Sequence, residues 1–185
     1  MFLAFSAFIV AAVASYLTIT QGPGANGSGI AELIAYLNGV NVPLLIGWGT
    51  FIVKTVCVVL GIAAQLCIGK EGPLAHIGAN VGVLLVYYFP LNVFEYYRND
   101  TMKREFAAAG IAAGVSAAFG SPIGGTLFAY ELSKPSTFWT FSMMWRSFFT
   151  AAVSTYTLSF LNHVHEYGWH NLTLTAAGTL KFGSL

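Results

Sequence analysis

The chain has 185 residues and a formal net charge of +1; 56% of its residues are hydrophobic and 8% are charged, against roughly 25% charged in an ordinary soluble domain. A soluble domain of this length needs a polar surface that this composition cannot supply, and a lipid-facing surface removes the need; the mean hydropathy of +0.70 agrees. The near-zero charge gives a nucleic-acid partner no electrostatic support, so the expected class is an all-α, polytopic, integral membrane protein whose surroundings are the lipid bilayer.

Met1 to Thr20 is apolar and carries no charge. A secretory leader wants a basic flank and a small-residue cleavage site. Neither is clear, so the segment reads as a membrane helix over 2–20 whose upstream flank is missing. Further apolar helices are expected at about 29–39 (a short one), 43–67, 73–88, 104–118, 122–132 and 138–162. Several are too short to span roughly 30 Å of hydrocarbon, and the segments 29–39 and 122–132 are bounded by glycine and proline. Short, broken helices are tolerated in a membrane only where they are buried in protein or line a cavity. In transporters they point to the binding site.

Charge is clustered along the chain. Between Leu33 and Phe94 the only charged residues are Lys54, Lys70 and Glu71, whereas Glu95, Arg98, Asp100, Lys103, Arg104 and Glu105 crowd one connection. The first stretch reads as membrane-buried and the second as solvated. Gly78 and Gly82, Gly110 and Gly114, and Gly120 and Gly124 each stand four apart, a spacing that lets helix backbones approach closely. Cys57 and Cys67 lie in apolar stretches with no metal or redox spacing and are expected to be buried thiols. The abrupt end at Lys181–Leu185 is expected of a partial sequence.

Three clusters carry chemistry. In Gly22-Pro23-Gly24-Ala25-Asn26-Gly27-Ser28-Gly29-Ile30-Ala31-Glu32 the glycines let the backbone aim N–H groups at one point, and an apolar helix follows at once. Its start presents unpaired N–H groups and the positive dipole end, which suit an anion, and Ser28 adds a hydroxyl donor. The plain alternative is an ordinary helix start capped by Ser28 or Asn26. In Ile68-Gly69-Lys70-Glu71-Gly72-Pro73 an ionisable pair interrupts apolar sequence, and such groups in a membrane are functional candidates. Pro73 suits a helix's first turn, which sets Glu71 at a positive helix end where carboxylate and free anion compete. The alternative there is an internal Lys70–Glu71 ion pair. Phe119 to Glu131 reads as a tight connection into a short helix ending near a carboxylate, with Glu131 either on a proton or water path or at the water boundary.

Other readings fit less well. A phosphate loop needs four residues between its glycine and the Gly-Lys pair and then Ser or Thr, but Gly61 stands too far before Gly69 and Glu71 follows the lysine. Ser28, Ser116 and Ser121 lack the context of a nucleophile, and of the histidines only His76 lies in an apolar helix. His163, His165 and His170 sit in one polar stretch without zinc spacing. No enzyme, cofactor or metal is expected. Asn171-Leu172-Thr173 is a glycosylation sequon, which puts that stretch on the non-cytoplasmic side and Lys134 on the cytoplasmic side if 138–162 spans once.

Three motifs then agree in order and spacing along nearly the whole chain. Gly27-Ser28-Gly29-Ile30-Ala31-Glu32 resembles the GSGIPE of the CLC family of voltage-gated chloride channels and chloride/proton exchangers. Gly69-Lys70-Glu71-Gly72-Pro73 matches its GKEGP, and Ala107 to Glu131 is similar to its alanine- and glycine-rich helix followed by P-x-x-G-x-L-F-x-x-E. The resemblance implies transmembrane chloride transport by a homodimer with one anion pathway per subunit. It makes residues 1–185 the first of two inverted halves of the membrane domain, without the second half or any cytoplasmic regulatory domain. It also implies that Ser28 donates its hydroxyl to a central chloride, with Gly29 and Ile30 beside it at the helix start. Glu71 is then the gate that yields its place to chloride, and the amides around Lys70 to Gly72 hold the outer ion.

Ala31 departs from the family's proline, which loosens the start of that helix but leaves Ser28 in place. Leu132 departs at the position where family exchangers carry a second, proton-relaying glutamate after the one matching Glu131. An apolar residue there is common in the channels, so the expectation is a gated chloride channel. A chloride/proton antiporter is the alternative, and a non-conducting partial product the second alternative.

Overall fold

Small residues set how closely several helix backbones of this chain approach one another. A computed structural model describes residues 2–88, 99–134 and 139–167. Among the described residues there are seven α-helices and no strand: α1 Phe2–Gln21, α2 Ile30–Leu37, α3 Trp48–Ala63, α4 Glu71–Tyr88, α5 Asp100–Phe119, α6 Pro122–Ser133 and α7 Phe141–Tyr167. A 3-10 turn, Pro23–Ala25, precedes α2. The all-α class and the order of elements match the sequence expectation.

Element ends differ for local reasons. α3 is shorter than 43–67 because Leu44 takes a left-handed conformation (φ 62) and Gln65 does the same (φ 55) beyond the other end. The Thr50 hydroxyl donates to the Leu44 carbonyl at 2.7 Å and holds the incoming turn. α4 opens at Glu71 rather than Pro73, with Pro73 inside the first turn, where a missing N–H leaves no hydrogen bond broken. α5 opens at Asp100 and α7 runs on to Tyr167. Among the described residues no helix is long and apolar enough to cross a membrane. Glu71, His76 and Asn80 interrupt α4, charges open α5, and α6 has only 12 residues.

α4 and α5 meet through glycine. A β-carbon on Gly78 would run into the Gly110 carbonyl, one on Gly82 into the Phe106 carbonyl, and one on Gly114 into the Leu74 carbonyl. These two expected pairs therefore do pack. The third does not: Gly120 (φ 68) ends α5, donating to the Ser116 carbonyl at 2.7 Å, and Gly124 meets only its own capping residue Ser121. The α5–α6 approach is made instead by Gly125, against Ser116 and the Ala112 carbonyl. Around this seam lies a core that includes Leu33, Leu37, Ala79, Ile111, Ala112 and Leu132. Large apolar side chains also face outward, among them Phe8, Ile19, Val59, Trp145 and Phe149. A surface of this kind asks for lipid or another protein against it.

Candidate anion site

The loop before α2 is shaped by its glycines. Gly27 (φ 60) and Gly29 (φ 79) are both left-handed, a conformation glycine adopts without the steric penalty of a β-carbon. Gly29 is the residue that caps α2, with no side-chain cap, so neither Ser28 nor Asn26 serves as the ordinary cap. The Asn26 side chain instead accepts from the Gly27 amide at 3.0 Å. Ser28 Oγ accepts from the Ile30 amide at 3.4 Å, which leaves its own O–H free to donate to something else. The first amide of α2 bonded within the chain's helical pattern is that of Leu33, to the Gly29 carbonyl at 3.0 Å.

Lys54 holds this loop from α3. Its side chain is 2% exposed, and Nζ donates to the carbonyl oxygens of Gly27 at 2.8 Å and Ala25 at 3.1 Å. Tying those carbonyls to the ammonium keeps them occupied and leaves the N–H side of the loop for other partners.

The start of α4 meets this loop. The Leu74 amide donates to the Lys70 carbonyl at 3.0 Å, so the amides of Glu71 and Gly72 precede the first helical hydrogen bond. Gly72 is buried, and a β-carbon there would stand 2.8 Å from the Ser28 β-carbon and 3.2 Å from Ile30 Cδ1. Two helix starts that are distant in sequence therefore touch. The Glu71 carboxylate folds back over the preceding turn: a β-carbon on Gly69 would lie 2.7 Å from its Oε2. Among the described residues Lys70 and Glu71 form no ion pair.

A cavity of about 1070 Å³ opens between α1, α3 and these two helix starts, lined by Ser28, Ile30, Lys54, Gly69, Glu71 and Gly72 together with apolar residues. Of the sequence candidates, Ser28, Ile30, Glu71 and Gly72 converge here. Gly29 is buried behind the loop against His76, and Lys70 is exposed outside the lining. Glu131 is exposed near the end of α6 while Leu132 is buried in the core, and neither lines the cavity. At the other end of α6, Ser121 Oγ accepts from the Gly124 amide at 3.2 Å, a capped start matching the expected tight connection.

Some expectations need correction or lie elsewhere. Cys67 is exposed and Cys57 half-buried, so neither is the buried thiol expected, and both line the cavity. Cys67 escapes burial because the chain has left α3 by that point. The side chains of His163 and His165, all of His170, the sequon at 171–173 and the charged stretch 95–98 lie outside the described residues. Lys54 lines the cavity and is not assigned to the site by the sequence; the available signal is a lone charge within an apolar helix.

An apolar, all-helical chain with two glycine-shaped helix starts turned on one cavity fits the class of helical membrane transport proteins. The model of the family described as Voltage gated chloride channel matches residues 8–183, and the chain belongs to that membrane-embedded family. The chain is 40% identical to mouse H(+)/Cl(-) exchange transporter 7 over 185 residues, covering 96% of this chain and 22% of that protein. It is 37% identical to Chloride channel protein A of Dictyostelium discoideum over 177 residues, 92% of this chain and 20% of the other. Chloride channel protein CLC-b of Arabidopsis thaliana is 44% identical over 147 residues, 76% of this chain and 19% of that one. The chain thus spans about a fifth of the length of the curated relatives it matches.

Proposed function

We propose that residues 1–185 supply the anion-binding and gating part of a chloride-conducting membrane domain, working in a homodimer with one pathway per subunit. The observation that carries this reading is the contact between Ser28 and Gly72, which sets two helix starts and the Glu71 carboxylate at one cavity. Chloride receives the Ser28 hydroxyl and the free amides of the helix starts, whose dipoles favour negative charge. Glu71 competes with chloride for that positive end and acts as the gate. No enzymatic step is needed, because selectivity and gating follow from donor placement and displacement of one carboxylate. Support for the chloride assignment comes from the names of the relatives as chloride channels and a H(+)/Cl(-) exchanger.

The test is Glu71→Ala in a full-length subunit reconstituted in liposomes or recorded by patch clamp. The expected result is anion flux that loses most of its voltage and pH dependence. Unchanged gating would remove Glu71 from the role. Chloride/proton exchange is the second reading, favoured by the name and 40% identity of the mouse relative. Against it stands Leu132, apolar and buried where family exchangers are expected to carry a carboxylate. Reversal potential under a proton gradient separates the two.

A further inference from the structure

His76 is fully buried on α4, and its ring is wedged between the α2–α3 loop and the turn that carries Ser28. Nε2 lies 2.9 Å from the Leu45 carbonyl oxygen. A carbonyl only accepts, so Nε2 carries the proton and the neutral ring presents a bare lone pair at Nδ1. That Nδ1 is buried without a hydrogen-bond partner. It faces Gly29: a β-carbon there would collide with Nδ1 and stand 2.9 Å from Cγ and 3.2 Å from Cε1.

Full burial and the Leu45 bond hold the ring, and the Leu45 turn is itself tied to α4. One turn further along α4, Asn80 donates to the His76 carbonyl at 3.0 Å and to the Leu45 carbonyl at 3.4 Å, and accepts from the Gly47 amide at 2.9 Å. An unpaired buried acceptor is unfavourable relative to carbon in the same place. The imidazole supplies the donor that the Leu45 carbonyl takes, and its other edge sets the unpaired Nδ1 against the left-handed Gly29; an aliphatic side chain offers neither.

We infer that His76 is a positioning residue for the anion site: anchored on Leu45, its ring presses on Gly29 and fixes the turn that aims the Ser28 hydroxyl at the cavity. This rests on the anion-site reading given above. His76 itself does not line the cavity; it acts through Gly29.

The experiment measures nitrate-to-chloride permeability ratios in full-length subunits carrying Ser28→Ala, His76→Leu, His76→Gln and Gly29→Ala. His76→Leu should raise the ratio about threefold, the scale of misplacing a single donor. His76→Gln, whose amide can donate to Leu45 and turn its oxygen to Gly29, should keep the parent ratio. The double variant Ser28→Ala/His76→Leu should add nothing to Ser28→Ala alone, because both act on one donor. Gly29→Ala reaches the same contact from the loop side and should shift the ratio in the same direction. Should His76→Leu fail to reach the membrane, an unchanged ratio in Gly29→Ala overturns the inference. A parent ratio in His76→Leu beside a raised one in Ser28→Ala overturns this inference alone, as does an equal rise in His76→Leu and His76→Gln. A parent ratio in Ser28→Ala overturns the anion-site reading and this inference with it.

Discussion

Lys54 Nζ donates to the Gly27 carbonyl oxygen at 2.8 Å, bridging from α3 to the loop in front of α2. The Ala25 carbonyl takes a second bond at 3.1 Å. Deleting the ammonium leaves two carbonyls without this partner, at roughly 1–3 kcal/mol for each one left buried and unsatisfied. Lys54→Met, which keeps the stem, should therefore destabilise the protein by about 2 kcal/mol or more and weaken chloride binding at the loop. Thermal unfolding in detergent and chloride titration calorimetry read the two effects. A variant as stable as its parent, with unchanged affinity, would show that the loop holds its shape without Lys54.

Gly69 lies under the Glu71 carboxylate, and a β-carbon there would come 2.7 Å from Oε2. Its φ is not in the left-handed range, so alanine meets no backbone penalty. The flexible end of Glu71 is what must move. Gly69→Ala should then raise basal anion flux in the direction of Glu71→Ala but by less, since the carboxylate is displaced rather than removed. Liposome efflux rates check this, and efflux at or below the parent rate would place the working position of the carboxylate away from Gly69.

How far the sequence foretells this arrangement depends on the range of the signal. The glycine pairs Gly78/Gly82 and Gly110/Gly114 are read correctly because a spacing of four repeats on one helix face. Gly120/Gly124 has the same spacing and a different use, since the left-handed Gly120 ends α5 before the face continues. The ends of α3 are set by positive φ at Leu44 and Gln65, residue types that carry no turn signal. Lys54 stands out as a lone charge, yet its partners are backbone carbonyls up to 29 residues away, which have no side-chain signature. The approach of Ser28 to Gly72 comes into view from sequence only through the family resemblance, because no local pattern joins two helix starts across α3.

Cys67 is exposed and lines the cavity that Glu71 also lines. A thiol in that position reports access to the proposed pathway without any engineered residue. An anionic methanethiosulfonate reagent should lower chloride flux in the full-length protein by adding bulk and negative charge beside the anion route. Cys67→Ser should abolish the effect, while Cys57, half-buried and within 3.5 Å of the Thr18 hydroxyl, should react more slowly. Reagent sensitivity that survives Cys67→Ser would mean the modified group lies elsewhere.

The last expectation concerns protons. Leu132 is 8% exposed and belongs to the core, whereas its neighbour Glu131 is exposed. Adjacent residues on a helix point about 100° apart, so the carboxylate of Glu131 cannot occupy the direction that Leu132 takes into the protein. A proton crossing an apolar interior needs titratable groups along its way, and leucine has none. The full-length protein is therefore expected to move chloride without stoichiometric proton counter-transport. The check is a liposome experiment with an imposed chloride gradient and an external pH electrode. Uphill proton movement sustained by the chloride gradient alone would overturn this and assign the relay to Glu131 or to residues beyond this chain. A chloride current whose reversal potential ignores the proton gradient is the outcome that the burial of Leu132 leads us to expect.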